Sequence, residues 1–215
     1  MADLRDSLCA LMAASVASPK RLDGDKAQRI IEAMRSSVAT RGAAGSTFDH
    51  VAREAGVSRG LLHYYFGSKE QLLVEVVRHD CELRLTGMGA RIARATTADE
   101  IIAALVLGLE EFIEGEPGSP AVIYELLSAS RHSEDIRAEL AELYRRWRAD
   151  LADSLRAKER EGVVRLEAAP ESVASVLFAL GDGIGIQVLS DPEWDREASF
   201  ELGVRIARRL LGAAE

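Results

Sequence analysis

The sequence predicts an all-α protein, and three observations predict it. Apolar residues recur at spacings of three and four through almost all of the 215 residues. No stretch of useful length alternates β-branched with polar residues, so strands have no candidate segments. Glycine, proline and capping residues mark the joints between the periodic segments.

Residues 1–22 are expected to be a frayed or loosely docked extension. MADLRDSLCALMAASVAS has the apolar middle of an export leader, but Asp3 and Asp6 offset Arg5 and remove the positive start such a leader needs. The first helix takes Asp23 as its N-cap and runs to about Arg41. Ala27, Ile30, Ile31, Met34 and Val38 form its apolar stripe, and Gly42 and Gly45 end it. Thr47 caps a short helix carrying Phe48, Val51, Ala52 and Ala55, which stops at Gly56. Ser58 caps a second short helix from Arg59 to about Tyr65, and Gly67 ends it. Ser68 and Gln71 fit a capping box that starts a long helix reaching about Ala95. Longer helices follow at about 99–114, 119–131, 134–161, 170–190 and 195–212. Gly115, Pro117, Gly118, Pro120, Gly162, Pro170, Asp191 and Pro192 separate them. The expected organisation is a small domain over 23–70 and a larger helical domain over 71–215, joined through the long helix rather than by a linker.

The net charge of -8 argues against nucleic acid only as a total. Residues 1–94 carry 14 Lys and Arg against 11 Asp and Glu, a net of +3, which leaves -11 for the remainder. The front of the chain is therefore the part suited to approach a polyanion. Cys9 and Cys81 show no CxxC and no Cys/His spacing, so neither a disulfide framework nor a zinc site is expected. No apolar run approaches the roughly 20 residues that span a bilayer. A cytoplasmic protein without membrane contact is expected.

No HExxH or phosphate-cradling glycine loop occurs, and the one GxSxG spacing, Gly56-Val57-Ser58-Arg59-Gly60, falls in the turn between two short helices and follows no strand, so it is not read as a nucleophile elbow. His79, Asp80 and Cys81 are adjacent, and adjacent helical residues diverge by about 100° each, so they cannot converge on one atom. Gly181, Gly183 and Gly185 do not form GxGxxG and follow no strand, and close helix packing accounts for them. No catalytic residue, metal or cofactor is expected.

Two short helices joined by a glycine turn make a helix-turn-helix. Ala52 is small where the helices cross, and Gly56 suits the positive φ of the turn. Val51, Val57 and Leu62 are placed to be buried between the helices, which leaves Arg59, Gly60, Leu61, His63 and Tyr64 projecting from the second. Such a second helix enters the DNA major groove. Arg59 suits a guanine edge and Leu61 a thymine methyl. His63 and Tyr64 can hydrogen-bond phosphate or base, and Gly60 lets the backbone come close. Thr47, Ser58 and Lys69 sit at helix starts, where phosphate is favoured. Tyr65 and Phe66 are expected to face inward.

The segment TFDHVAREAGVSRGLLHYYFGSKEQLL, with the helix before it, resembles the DNA-binding domain of the TetR family of bacterial transcriptional regulators over about residues 25–75. ALGDGIGIQVL, residues 179–189, resembles the penultimate helix of one branch of that family, where an Asp-Gly pair followed by Gln is frequent. The resemblance implies an all-helical homodimer that binds double-stranded DNA, and repression released by a small-molecule effector. It also implies a tyrosine where this chain has His63. The alternative is a DNA-associated interaction protein with no effector.

The last two helices carry Val173, Val176, Leu177, Leu180, Ile184 and Val188, then Phe200, Val204 and Leu210, and are expected to pair with a second copy in a four-helix interface. A two-fold dimer predicts an inverted-repeat operator. Met88, Phe112, Tyr124, His132, Trp147, Phe178 and Gln187 are the candidates to line an effector cavity. Glu110, Glu111 and Glu114 are read as a solvated acidic face. With no flexible linker, an effector that prefers a tilted long helix changes the spacing of the two reading heads.

Overall fold

The structure, a computed structural model, describes residues 24–114 and 119–213. Asp23, the 1–22 extension and the Gly115, Pro117 and Gly118 break lie outside the described residues, as do the side chains of Asp80 and Cys81. Nine helices and no strand occur among the described residues. They are α1 (Gly24–Gly45), α2 (Phe48–Ala55), α3 (Arg59–Phe66), α4 (Lys69–Arg94), α5 (Ala98–Glu114), α6 (Ser119–Ala129), α7 (Glu134–Arg160), α8 (Pro170–Ser190) and α9 (Glu197–Leu210).

Cap chemistry sets the joints. Thr47, Ser58, Ser68 and Ser133 each sit in extended backbone, and each side chain accepts a backbone N–H from the first turn of α2, α3, α4 and α7. Gly56 takes the left-handed conformation, φ 67 and ψ 36, that closes the turn between α2 and α3. Inside α1, Gly42 departs from helical geometry with φ 71, so the regular helix breaks where glycine was expected to end it.

The apolar stripes then assemble. Ile30, Met34, Val51, Leu62, Leu72 and Leu73 are buried between α1, α2, α3 and the start of α4. That core does not stop at the head. It continues without a gap into Val122, Ile123 and Leu126 of α6 and Ile136, Leu140 and Leu143 of α7. A second core lies further along α4, where Ile92 packs with Ile101 and Ile102 of α5, Leu151 and Leu155 of α7, and Val173 of α8. The head is therefore seated directly on the larger bundle, and α4 runs through both.

Two lysines hold the two ends of α4. Lys158 is almost fully buried because its Nζ donates to the Ala93 and Ala95 carbonyls at 2.7 and 2.9 Å and pairs with Glu161 at 2.7 Å. A cation thereby satisfies the orphan carbonyls that end α4. At the other end of α4, Lys69 donates to the Ala43 carbonyl at 3.2 Å and lies 3.6 Å from the carboxylate of Glu125 on α6.

α8 departs from the expectation about apolar runs. It is 21 residues long and contains an 18-residue stretch of mean hydropathy 1.6, long and apolar enough to cross a membrane by composition. Its apolar circumference has other uses here, because one side lines a cavity and the opposite side reaches the surface.

The chain end is tied back to the α7–α8 connection. Arg165 N–H donates to Leu211 O and Glu167 N–H to Leu210 O. Gly212 sits beside this pairing at φ +65, and a Cβ there would lie 2.0 Å from the Arg165 carbonyl oxygen. Gly212→Ala is expected to cost about 1–3 kcal/mol through left-handed strain and this clash. A melting curve should read that as a drop of roughly 2–4 °C per kcal/mol.

Candidate functional site

The outer face of α3 is built by the packing of its inner one. Leu62 is completely buried, and Phe66 and Leu61 pack part-buried against the head core, which turns Arg59, Gly60, His63 and Tyr64 to the surface. Tyr64 is the most exposed large hydrophobic side chain of the described residues at 59%, and it meets Tyr65 edge to face at 5.0 Å. The aromatic run divides as expected, except that Leu61 is half-buried. Its position one turn before Tyr65 gives it contacts with the core as well as an outward edge. Gly60 has open space around it, so no protein packing demands its lack of a side chain. Thr47 and Ser58 spend their lone pairs on capping, at 3.4 Å to His50 N and 3.2 Å to Leu61 N. Arg59 reaches across to Asp49 of α2, and its Nε also donates to His63 at 3.3 Å.

The second feature is a cavity of about 180 Å³ lined by residues of α4, α5, α6, α7, α8 and α9. Met88, Phe112, Trp147, Phe178 and Phe200 contribute its large side chains, and Leu177, Leu180 and Val204 much of the rest. Among the described residues, Asp182 is the one ionisable side chain on its wall. Burial pushes the Asp182 carboxyl up from its usual range, and a hydrogen bond from the Tyr144 hydroxyl pulls partly the other way. Tyr144 in turn lies against Trp147, ring centroids 5.1 Å apart. The Tyr124 hydroxyl donates to the Asp182 backbone carbonyl at 2.9 Å, and burial with the nearby carboxylate pushes its pKa up to about 12. Gly185 lets α8 approach: a Cβ there would lie 3.2 Å from the Phe112 ring and 3.5 Å from the Tyr124 hydroxyl. On the far side of Met88 and Trp147 a polar recess of about 410 Å³ opens between α4 and α7, lined by Glu82, Thr86, Arg146, Asp150 and Ser154.

A surface helix-turn-helix on a cavity-bearing helical bundle is matched on both counts by known proteins. Residues 30–76 match the model for bacterial regulatory proteins of the tetR family, and residues 101–212 match that for the C-terminal part of BetI-type transcriptional repressors. The chain belongs to the TetR family. It is 30% identical over 186 residues to the HTH-type transcriptional regulator BetI of Agrobacterium fabrum, covering 78% of this chain and 90% of that one. Among solved structures it is similar to a transcriptional regulator from Saccharomonospora viridis in complex with choline. That match has 26% identity and a TM-score of 0.65, over 87% of this chain and 95% of the other. The fold is also that of FadR from Bacillus subtilis in complex with stearoyl-CoA, at 20% identity and TM-score 0.65, covering 87% and 99%. This TetR-family chain is a ligand-responsive, DNA-binding transcriptional regulator of a family of regulators rather than of enzymes.

The TetR-family architecture redistributes several residues singled out from sequence. Four of the seven cavity candidates, Met88, Phe112, Trp147 and Phe178, line the cavity. Tyr124 stands behind the wall and acts on the Asp182 carbonyl. His132 lies exposed in the turn after α6, beyond the helix that would have to carry it inward. Gln187 is on the outer face of α8, where its amide donates to Gly183 O of its own helix at 3.3 Å. Lys69, expected at the DNA, is engaged by Ala43 and Glu125. Of the residues expected to face a second copy, Val173 and Ile184 are buried within the protomer, and Leu177, Leu180, Phe200 and Val204 line the cavity. Val176 alone of that set is exposed. The exposed large apolar residues on α8 and α9 are Val176, Ile186, Leu189 and Leu202. Asp182 was missed, although its signal was present as a lone carboxylate inside an apolar run from Val173 to Leu189.

Proposed function

We propose that the protein is a cytoplasmic repressor that reads an inverted-repeat operator as a homodimer and is released by a small organic cation. The observation that carries the effector class is Asp182, a single part-buried carboxylate on an otherwise apolar wall. A net charge in such a place is costly without a partner, and a cationic ligand supplies one. The faces of Phe112, Trp147, Phe178 and Phe200 suit a quaternary ammonium, which offers diffuse charge and no hydrogen-bond donor. Size agrees: a cavity of about 180 Å³ has room for a small organic cation. The relative solved with choline supports the same class. No observation favours the effector-free reading.

Arg59, Gly60, His63 and Tyr64 meet base edges and nearby phosphates from α3, Leu61 offers its outward edge to a thymine methyl, and Thr47 and Ser58 meet phosphate at the helix starts. Lys69 acts first as the tie between head and α6, through which a shift of α6 or α4 reaches the reading helix. Arg59→Ala is expected to cost about 1–3 kcal/mol on the operator and much less on random duplex.

The effector class is tested by titrating operator-bound protein with choline and with its uncharged isostere, 3,3-dimethylbutanol. Release by choline and not by the isostere is expected in fluorescence anisotropy. Equal release by both would remove Asp182 from the account.

A further inference from the structure

Arg59 opens α3 with its guanidinium held on two sides. Nη1 lies 3.3 Å from both carboxylate oxygens of Asp49 on α2, and Nε donates to Nε2 of His63 at 3.3 Å. The other ring nitrogen fixes that acceptor role. Nδ1 of His63 lies 3.3 Å from the Gly67 carbonyl, which can only accept, so Nδ1 carries the proton and Nε2 presents its lone pair. The imidazole is seated edge-on against Phe48 of α2, centroids 4.8 Å apart.

A guanine edge is read by two parallel N–H donors of one guanidinium, one bonding O6 and the other N7. The two forks available to an arginine pair Nη2 with either Nη1 or Nε. Asp49 engages a donor of the first fork and His63 a donor of the second. Each fork therefore shares one of its nitrogens with a partner inside the protein, while Nη2 and the second N–H of Nη1 remain for a base.

We propose that Asp49 is a specificity-determining positioning residue of the DNA interface, holding Arg59 against capture by phosphate while leaving it available to guanine. This rests on the reading of α3 as the base-reading helix. The chemistry is one of charge. A phosphate oxygen that takes Arg59 is brought beside a carboxylate of the same sign, at 59% side-chain exposure on the same face. The O6/N7 edge of guanine is uncharged, offers both acceptors at once, and meets no such repulsion. An exposed ion pair is weak, so it orients Arg59 without locking it, and a matched base displaces one tie. Asp49 thus lowers affinity for wrong duplexes more than for the right one, which is how a repulsive element produces specificity. Asp49 also lies in the first turn of α2, where a carboxylate favours the helix on its own account. A role limited to that would change folding stability and leave base discrimination untouched.

The test uses the full-length protein, a duplex selected by it from a randomised library, and a scrambled duplex at one fixed salt concentration. Asp49→Asn is expected to tighten scrambled-duplex binding about 10-fold and the selected duplex by no more than about 2-fold, so the ratio falls roughly 5-fold or more. Asp49→Glu should restore the ratio. In an Arg59→Ala background Asp49→Asn should shift both duplexes alike. The proposal is overturned if Asp49→Asn alters both duplexes equally when Arg59 is present, or if the ratio falls just as far when Arg59 is absent. Failure of the wild-type protein to select any sequence would instead overturn the reading of α3, and this proposal with it.

Discussion

Replacing Ile186 or Leu202 with Glu is expected to give a monomer whose operator binding is weaker by two orders of magnitude or more. Val176, Ala179, Gly183, Ile186 and Leu189 fall at intervals of three and four along α8 and share its outer side. Ile186 and Leu189 are 47% and 49% exposed, and Leu202 of α9 is 50% exposed. Among the described residues, apart from the backbone of its own helix, nothing lies within 4 Å of where a Gly183 Cβ would be, so a second backbone can come close there. A buried carboxylate at such a position removes apolar contact and adds an unpaired charge. The DNA effect follows from linkage. Two heads held together bind the second half-site as an intramolecular event, worth roughly 10²–10⁴ in avidity without any new contact. Sedimentation velocity reads the first half of this prediction and operator binding the second. A dimer that persists with full operator affinity would place the interface on another surface.

Asp182→Asn is expected to abolish the response to an organic cation while leaving operator binding intact, and to stabilise the empty protein at neutral pH. Removing one partner of a buried charge pair costs about 2–5 kcal/mol, a loss of 30-fold or more in cation affinity. The stability change follows from the direction of the pKa shift. Because burial raises the Asp182 carboxyl in the folded state, its contribution to stability is fully present below the unfolded pKa and is lost as pH rises through the folded one. At neutral pH the wild-type carboxylate is thus a liability that Asn lacks, and the Tyr144 hydroxyl can still donate to the amide oxygen. The same shift makes cation affinity fall as pH drops through the raised folded pKa, since the protonated acid offers the ligand no charge. Isothermal titration across that range should show the slope in the wild type and none in Asp182→Asn. Equal cation affinity in both proteins would contradict the assignment.

The sequence disclosed most where the physics is local. Thr47, Ser58 and Ser68 cap helices through bonds to residues three positions on, so their spacing alone reveals them. Leu62 inward and His63 and Tyr64 outward follow from the turn of one short helix. Periodicity says that a residue is turned inward but not what it meets, and α8 is where that fails. Val173, Leu177 and Val176 read as one apolar class, yet they are respectively core, cavity wall and surface. Lys69 was legible as a helix start, but its partners lie 26 and 56 residues away, and no local rule points to them. Lys158 likewise reads as a solvated cation until the end of α4 is seen to need a donor.

Hydroxyl-radical footprinting of the full-length protein on its selected duplex tests the paired reading heads most directly. Two protected patches of equal depth, related by a dyad and roughly one helical turn or a multiple of it apart, are predicted. A single asymmetric patch, or protection that does not change when Arg59 is replaced by Ala, would contradict the account.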